Sequence, residues 1–168
     1  MRGHGKALGH VWSDSAGVDP ERTGLRAVEQ TIVHVGPAGA GQTVKAANQL
    51  LVAGIIELVA EALVFIDAHG VDADAAIKVL SGGLAGNRIL ERKAPSMVAR
   101  VYEPGFRVDL HHKDLGILIA AAREAGVAIP LGALSAQLMG ALRAQGHGDL
   151  DHSALHLLVE TLSGRRPA

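Results

Sequence analysis

The 168-residue chain predicts an all-α architecture: a helical bundle of about six helices around one long central helix, with at most one short N-terminal strand. Three observations predict it. Residues 43–68 form a run of roughly 26 residues, about 39 Å at the helical rise, that is apolar on nearly every face and so has to be buried on most sides. The composition is 48% hydrophobic but only 2% aromatic, with alanine the commonest residue and 21 glycines, which suits closely packed helices better than a sandwich or barrel. Beyond residue 70 the sequence alternates between helix-capping residues and Gly or Pro stops.

Taken in order, residues 1–30 are polar, Gly-punctuated and weakly periodic. They read as an irregular segment with a short helix after Pro20, where Asp19 is placed to cap. Thr31 to Val35 alternates and is β-branched, the pattern of one short strand. Gly36-Pro37-Ala38-Gly39-Ala40-Gly41 breaks it. The central helix follows, from Thr43 to Ala68, and His69-Gly70 ends it with a glycine stop. Asp72 or Asp74 caps a short helix to Leu80, and Asn87 opens another to about Val98, disturbed by Pro95. Tyr102 to Arg107 reads as a loop. Helices are then expected from about Asp109 to Ala125 and from Pro130 to about Gln145, with a turn at Gly146 to Asp149. Asp151 caps a last helix that presents Ala154, Leu155, Leu158 and Leu162 on one face. The domain reading is an irregular segment 1–30 that is not a nucleotide-binding fold, a helical domain 31–163 and a tail 164–168.

Sixteen basic and 17 acidic residues give a net charge of −1, so no basic field exists for nucleic acid. The absence of cysteine excludes thiol catalysis and thiolate metal sites and agrees with a reducing cytoplasm, the expected location. The apolar run from Leu50 to Ile66 contains Glu57 and Glu61 near its middle, which argues against a membrane span.

Five motifs bear on chemistry. Gly36-x-x-x-x-Gly41-Gln42-Thr43 imitates a phosphate loop, but Gln42 stands where the phosphate-binding lysine is required, so the main electrostatic contribution is lost. Gly3-His4-Gly5 opens a dinucleotide fingerprint, but Gly9 comes one residue late and no strand precedes it. His111-His112, and His152 with His156 at i, i+4 spacing, lack an intervening Glu. They read as solvated or hydrogen-bonded histidines, and no metal is expected. Lys45, one turn into an apolar helix, shares a face with Asn48 and Gln49. This is an ammonium with amide partners, suited to protonating an oxygen, although a lysine that snorkels at the rim of a domain has the same pattern. Finally, Lys113-Asp114 follows a Pro-Gly loop in FRVDLHHKDL, which is also the pattern of an ordinary charged helix surface.

Together, the segments GPAGAGQTVKAANQLLVAGIIELVAEAL, EPGFRVDLHHKDLGIL and GHGDLDHSALHLLVETL resemble the C-terminal domain of the β-hydroxyacid dehydrogenase family, also called the 3-hydroxyisobutyrate dehydrogenase family. They look most like its tartronate semialdehyde (2-hydroxy-3-oxopropionate) reductase branch. The resemblance covers roughly residues 31–163. It implies hydride transfer between NAD or NADP and a small hydroxy acid or semialdehyde. Lys45 maps onto the family's catalytic lysine, the general acid in reduction, and Asn48 or Gln49 onto its substrate-binding amide. Lys113 maps onto the lysine that approaches the cofactor, Asp114 onto the residue that orients it, and Phe106 onto the lining of the cleft beside the nicotinamide. The family's N-terminal Rossmann domain has no counterpart in residues 1–30. The chain alone is therefore expected to be inactive and to bind cofactor poorly. The alternative reading is a non-catalytic helical dimerisation or small-acid-binding module. A homodimer or higher homo-oligomer through the Thr43–Ala68 helix is expected, with no nucleic-acid or membrane partner.

Overall fold

The computed structural model describes residues 11–14 and 33–165. The chain divides into two compact units, residues 1–48 and 49–168. The first contains strands β1 (Val11–Asp14) and β2 (Val33–Pro37). They pair in parallel, Val11 opposite Val33 and Trp12 opposite His34, with an irregularity before Asp14 meets Pro37. The expected single strand is present, displaced to Val33–Pro37, and β1 accompanies it. Strand alternation was too short around Val11 to be read as a strand. The helix expected after Pro20 lies outside the described residues, as do the last residues of the tail.

Six α-helices follow among the described residues: α1 (Ala40–Ala68), α2 (Ala73–Ser81), α3 (Arg88–Val98), α4 (Val108–Glu124), α5 (Pro130–Leu142) and α6 (Leu155–Leu162). Their starts follow local chemistry. The Asp72 carboxylate accepts from the Ala75 amide at 2.7 Å, and the Asn87 side chain accepts from the amides of Ile89 and Leu90. Pro130 occupies the first turn of α5, where a missing N–H costs nothing. Pro95 does not stop α3, which runs through to Val98. Gly70 and Gly126 close α1 and α4 with φ of +66°, a conformation that glycine adopts without steric cost. After α5 one wide turn, Arg143–His147, and Gly146 at φ +89° redirect the chain toward α6.

By length and composition α1 is long and apolar enough to cross a membrane. In this fold one face of it is buried in the core of the second unit, at Ala53, Ile56, Glu57, Val59, Ala60 and Leu63, while Leu51, Leu58 and Phe65 stay exposed, so it is not buried on most sides as its composition predicts. Leu115, Met139, Leu142, Leu155 and Leu158 from α4, α5 and α6 complete that core. Burying such side chains stabilises the fold by roughly 1.5–3 kcal/mol each.

Candidate functional site

In the first unit, Lys45 and Asn48 lie near the start of α1, Lys45 exposed and Asn48 half-buried. The remaining candidate residues belong to the second unit, which brings them together. Gln49 Nε2 donates to Asp114 Oδ2 at 2.9 Å. The other oxygen of Asp114 lies 3.3 Å from the ammonium of Lys113. Asp114 thus bridges the amide of α1 and the cation of α4, while Lys113 itself is exposed. His111, one turn before Asp114, contacts the Gln49 carbonyl oxygen through Nε2 at 3.3 Å. Gln49 is therefore held by α4 at both its side chain and its backbone.

Phe106, half-buried in the loop before α4, packs in tilted, T-shaped contacts with two imidazoles, its ring centroid 5.6 Å from those of both His111 and His152. The loop is fixed by Asp151, a residue read from the sequence only as a helix cap. Its carboxylate does cap the turn, accepting from the Ser153 amide and hydroxyl. It also accepts from the amides of Gly105 and Phe106 and from Lys93 Nζ at 2.8 and 2.9 Å. Burial alone would raise its pKa, but the Lys93 ammonium and the Ser153 donors outweigh this and hold the carboxyl well below the usual carboxylate range. The His152 amide completes the clamp by donating to the Phe106 carbonyl at 2.9 Å.

The histidines expected to be solvated or hydrogen-bonded are of the second kind where they matter. His111, His152 and His156 are all buried. His111 Nδ1 and His152 Nδ1 are 3.0 Å apart, and His156 Nδ1 is 3.0 Å from the Tyr102 hydroxyl. Burial lowers all three pKa values, His152 to about 3 and His156 to about 4, so the rings are neutral at physiological pH. Lys93, Asp151 and the His111–His152 pair are the parts of this region that sequence reasoning did not connect. The only available signal was the placement of His152 immediately after a capping Asp.

Comparisons with known proteins establish the family. Residues 39–159 match the family model described as the NAD-binding domain of NADP-dependent 3-hydroxyisobutyrate dehydrogenase. The chain belongs to this family. It is 39% identical over 139 residues to 2-hydroxy-3-oxopropionate reductase of Escherichia coli K12, a match covering 83% of the chain and 48% of the reductase. Among solved structures, it aligns with 3-hydroxyisobutyrate dehydrogenase from Salmonella typhimurium at TM-score 0.76 and 27% identity, over 80% of the chain and 47% of that structure. The Mycobacterium tuberculosis 3-hydroxyisobutyrate dehydrogenase with L-serine gives TM-score 0.75 at 30% identity, over 89% and 53%. The chain thus spans about half the length of these relatives. Family membership makes it part of an NAD(P)-dependent oxidoreductase lineage with a helical domain of the expected kind.

Proposed function

We propose that this chain is the substrate-binding and proton-donating domain of an NAD(P)-dependent 3-hydroxyacid dehydrogenase of the 2-hydroxy-3-oxopropionate reductase type, acting in the cytoplasm. The observation that carries the reading is the Gln49–Asp114–Lys113 arrangement, which fixes an α1 amide beside the paired Lys-Asp of α4. In this reading Asn48 and Gln49 hold the carboxylate or hydroxyl groups of a small semialdehyde. Lys45, four residues before Gln49, donates its proton to the carbonyl oxygen as negative charge develops there, and takes it back in the oxidative direction. The chemistry that a reduced nicotinamide would supply, when bound, is the hydride for the carbonyl carbon. The exposed Lys113 ammonium and the Phe106 ring suit the charged and aromatic parts of such a nucleotide, and Asp114 orients Lys113. Hydride transfer needs donor and acceptor held about 3–3.5 Å apart, a demand that this helical domain is proposed to meet only in part.

Two measurements test this. In a turnover assay with NADPH or NADH and tartronate semialdehyde, the isolated polypeptide is expected to be inactive. Clear turnover, abolished by Lys45→Ala, would refute the inactivity and establish the catalytic lysine. In an NMR titration with a small hydroxy acid, shifts should map to Lys45, Asn48 and Gln49, and Lys45→Ala should remove them. Shifts confined to other residues would refute the site.

A second reading, dimerisation, has its own observation. Leu51, Leu58 and Phe65 are 63%, 61% and 65% exposed, at a seven-residue spacing that forms one stripe along α1. The spacing is symmetric about Leu58. A second copy related by a two-fold axis there pairs Leu58 with its equivalent and Leu51 with Phe65. Gly54, beside which an added Cβ would meet nothing within 4 Å, lets the helices approach closely. A homodimer through this stripe is the expected assembly. Light scattering at micromolar concentration checks it: Leu58→Glu should yield a monomer, and a monomeric parent chain would refute the dimer.

A further inference from the structure

We infer that His111 and His152 form a positioning pair of fixed tautomers that holds the Gln49 carbonyl and supports the Phe106 ring, with His152 itself set by the turn that Asp151 caps. The inference rests on the roles proposed above for Gln49 and Phe106.

The proton positions follow from the partners. The Gln49 carbonyl can only accept, so His111 carries its hydrogen on Nε2, 3.3 Å away. A neutral ring protonated there has a lone pair on Nδ1. That lone pair faces His152 Nδ1 at 3.0 Å, so His152 carries its hydrogen on Nδ1 and donates to His111. The remaining nitrogen of His152, Nε2, is then a lone pair. It lies 3.9 Å from Asp151 Oδ1, beyond hydrogen-bond reach, which is where an acceptor facing a carboxylate belongs. One direction of donation therefore runs through the pair: His152 to His111 to the Gln49 carbonyl. A proton added to His111 Nδ1 would set two N–H groups facing each other, unless His152 changed tautomer as well.

Burial protects this arrangement, because His111 is 0% and His152 6% exposed. Asp151 acts through the backbone rather than through the His152 ring. It caps the turn that carries His152 and accepts the amides of Gly105 and Phe106, while the His152 amide binds the Phe106 carbonyl. Lys93, from α3, neutralises the carboxylate. Phe106 packs in T-shaped contacts with both imidazoles, so its position and that of the Gln49 carbonyl depend on the same two rings. His111 and His152 are positioning residues: each acts through a neighbour.

The experiment is NMR on the full chain, labelled with 15N-histidine and with 13C at the Gln49 carbonyl, at neutral pH. His111 should be protonated at Nε2 only and His152 at Nδ1 only. The reverse assignment, a charged ring, or a mixture of tautomers at either site would overturn the inference. His152→Leu removes the donor to His111. It should leave His111 protonated at Nε2 but move its Nδ1 resonance toward that of an unbonded lone pair, and shift the Gln49 carbonyl resonance. His152→Asn, which keeps an N–H donor near the same place, should restore both signals. A His152→Leu chain with unchanged His111 and Gln49 signals would overturn the inference, and if that variant does not fold, the tautomers of the parent chain and the His152→Asn signals decide. No substrate is used, so the outcome is separate from that of the function: hydroxy-acid binding can fail with the tautomers intact, and the tautomers can be reversed with binding intact.

Discussion

His152 and His156 stand four residues apart, both 6% exposed and both neutral, yet they serve different parts of the molecule. His152 faces His111 and, through it, Gln49 of α1. His156 faces Tyr102, and its other nitrogen lies 3.8 Å from Glu160, which pairs with Arg100. Burial raises the Tyr102 pKa, and the Glu160 charge adds to it, so that hydroxyl keeps its proton. The first cluster touches residues proposed to meet substrate and cofactor. The second joins the end of α3 to α6 and touches none of them. Equal burial and identical residue type therefore say little about role, and the elements to which each ring is bonded say more.

The comparison can be broken most forcefully at Asp151. Asp151→Ala leaves the partly buried Lys93 ammonium and the Gly105 and Phe106 amides without their acceptor. It should cost about 3–5 kcal/mol, read as a lowered urea midpoint, and should disturb the Phe106 resonances. A loss below about 1 kcal/mol would reduce Asp151 to a simple cap.

Acid titration tests both clusters together. The folded pKa values of His152 and His156, about 3 and about 4, lie below the unfolded value of 6.5, so the unfolded chain binds more protons in that interval. Stability should fall as pH drops below 6.5, by about 1.4 kcal/mol per pH unit for each histidine. His156→Gln should remove one share of the slope and leave the Gln49 carbonyl signal unchanged.

Glu57 has the opposite sign. Burial in α1, reinforced by the Glu61 charge, lifts its pKa to about 7, and one of its oxygens has no hydrogen-bond partner. The folded chain holds this proton more tightly than the unfolded one, so this contribution to stability is lost as pH rises from 4.5 through 7. Glu57→Gln should stabilise the protein at pH 8 by about 1–3 kcal/mol and have little effect at pH 4.5. Denaturant curves at the two pH values check this.

The smallest effect is expected at Glu160. Glu160→Gln keeps an acceptor for the half-exposed Arg100 and should cost about 1 kcal/mol. The Phe106 and Gln49 resonances should not move, and if they did the two clusters would be one network.

Much of the helical fold was legible because its signals are local. Asp72, Asn87 and Pro130 start helices, and Gly70 and Gly126 end them, through contacts within a few residues. The start of α1 at Ala40 rather than Thr43 was not, since terminal turns are settled by packing. In the candidate site, motif resemblance singled out Gln49, Lys113 and Asp114, whose roles stand as proposals. The Gln49–Asp114 bond was not legible, because it spans 65 residues.

Asp151 separates the two sources of information most clearly. By itself the sequence determined that it caps a turn, because Ser153 is two residues away. It also determined that α1 is a long apolar helix, but not which of its faces is buried: Ala53, Ile56 and Ala60 are, whereas Leu51, Leu58 and Phe65 are exposed. Only the tertiary structure decided that the same carboxylate binds Lys93, 58 residues distant, and that His111 and His152, 41 residues apart, share one hydrogen bond. Hydrophobic periodicity and capping act over one or two turns and leave a trace in residue order. Burial of a polar group demands a partner, but any element that reaches it can supply one, and only the packed chain selects which.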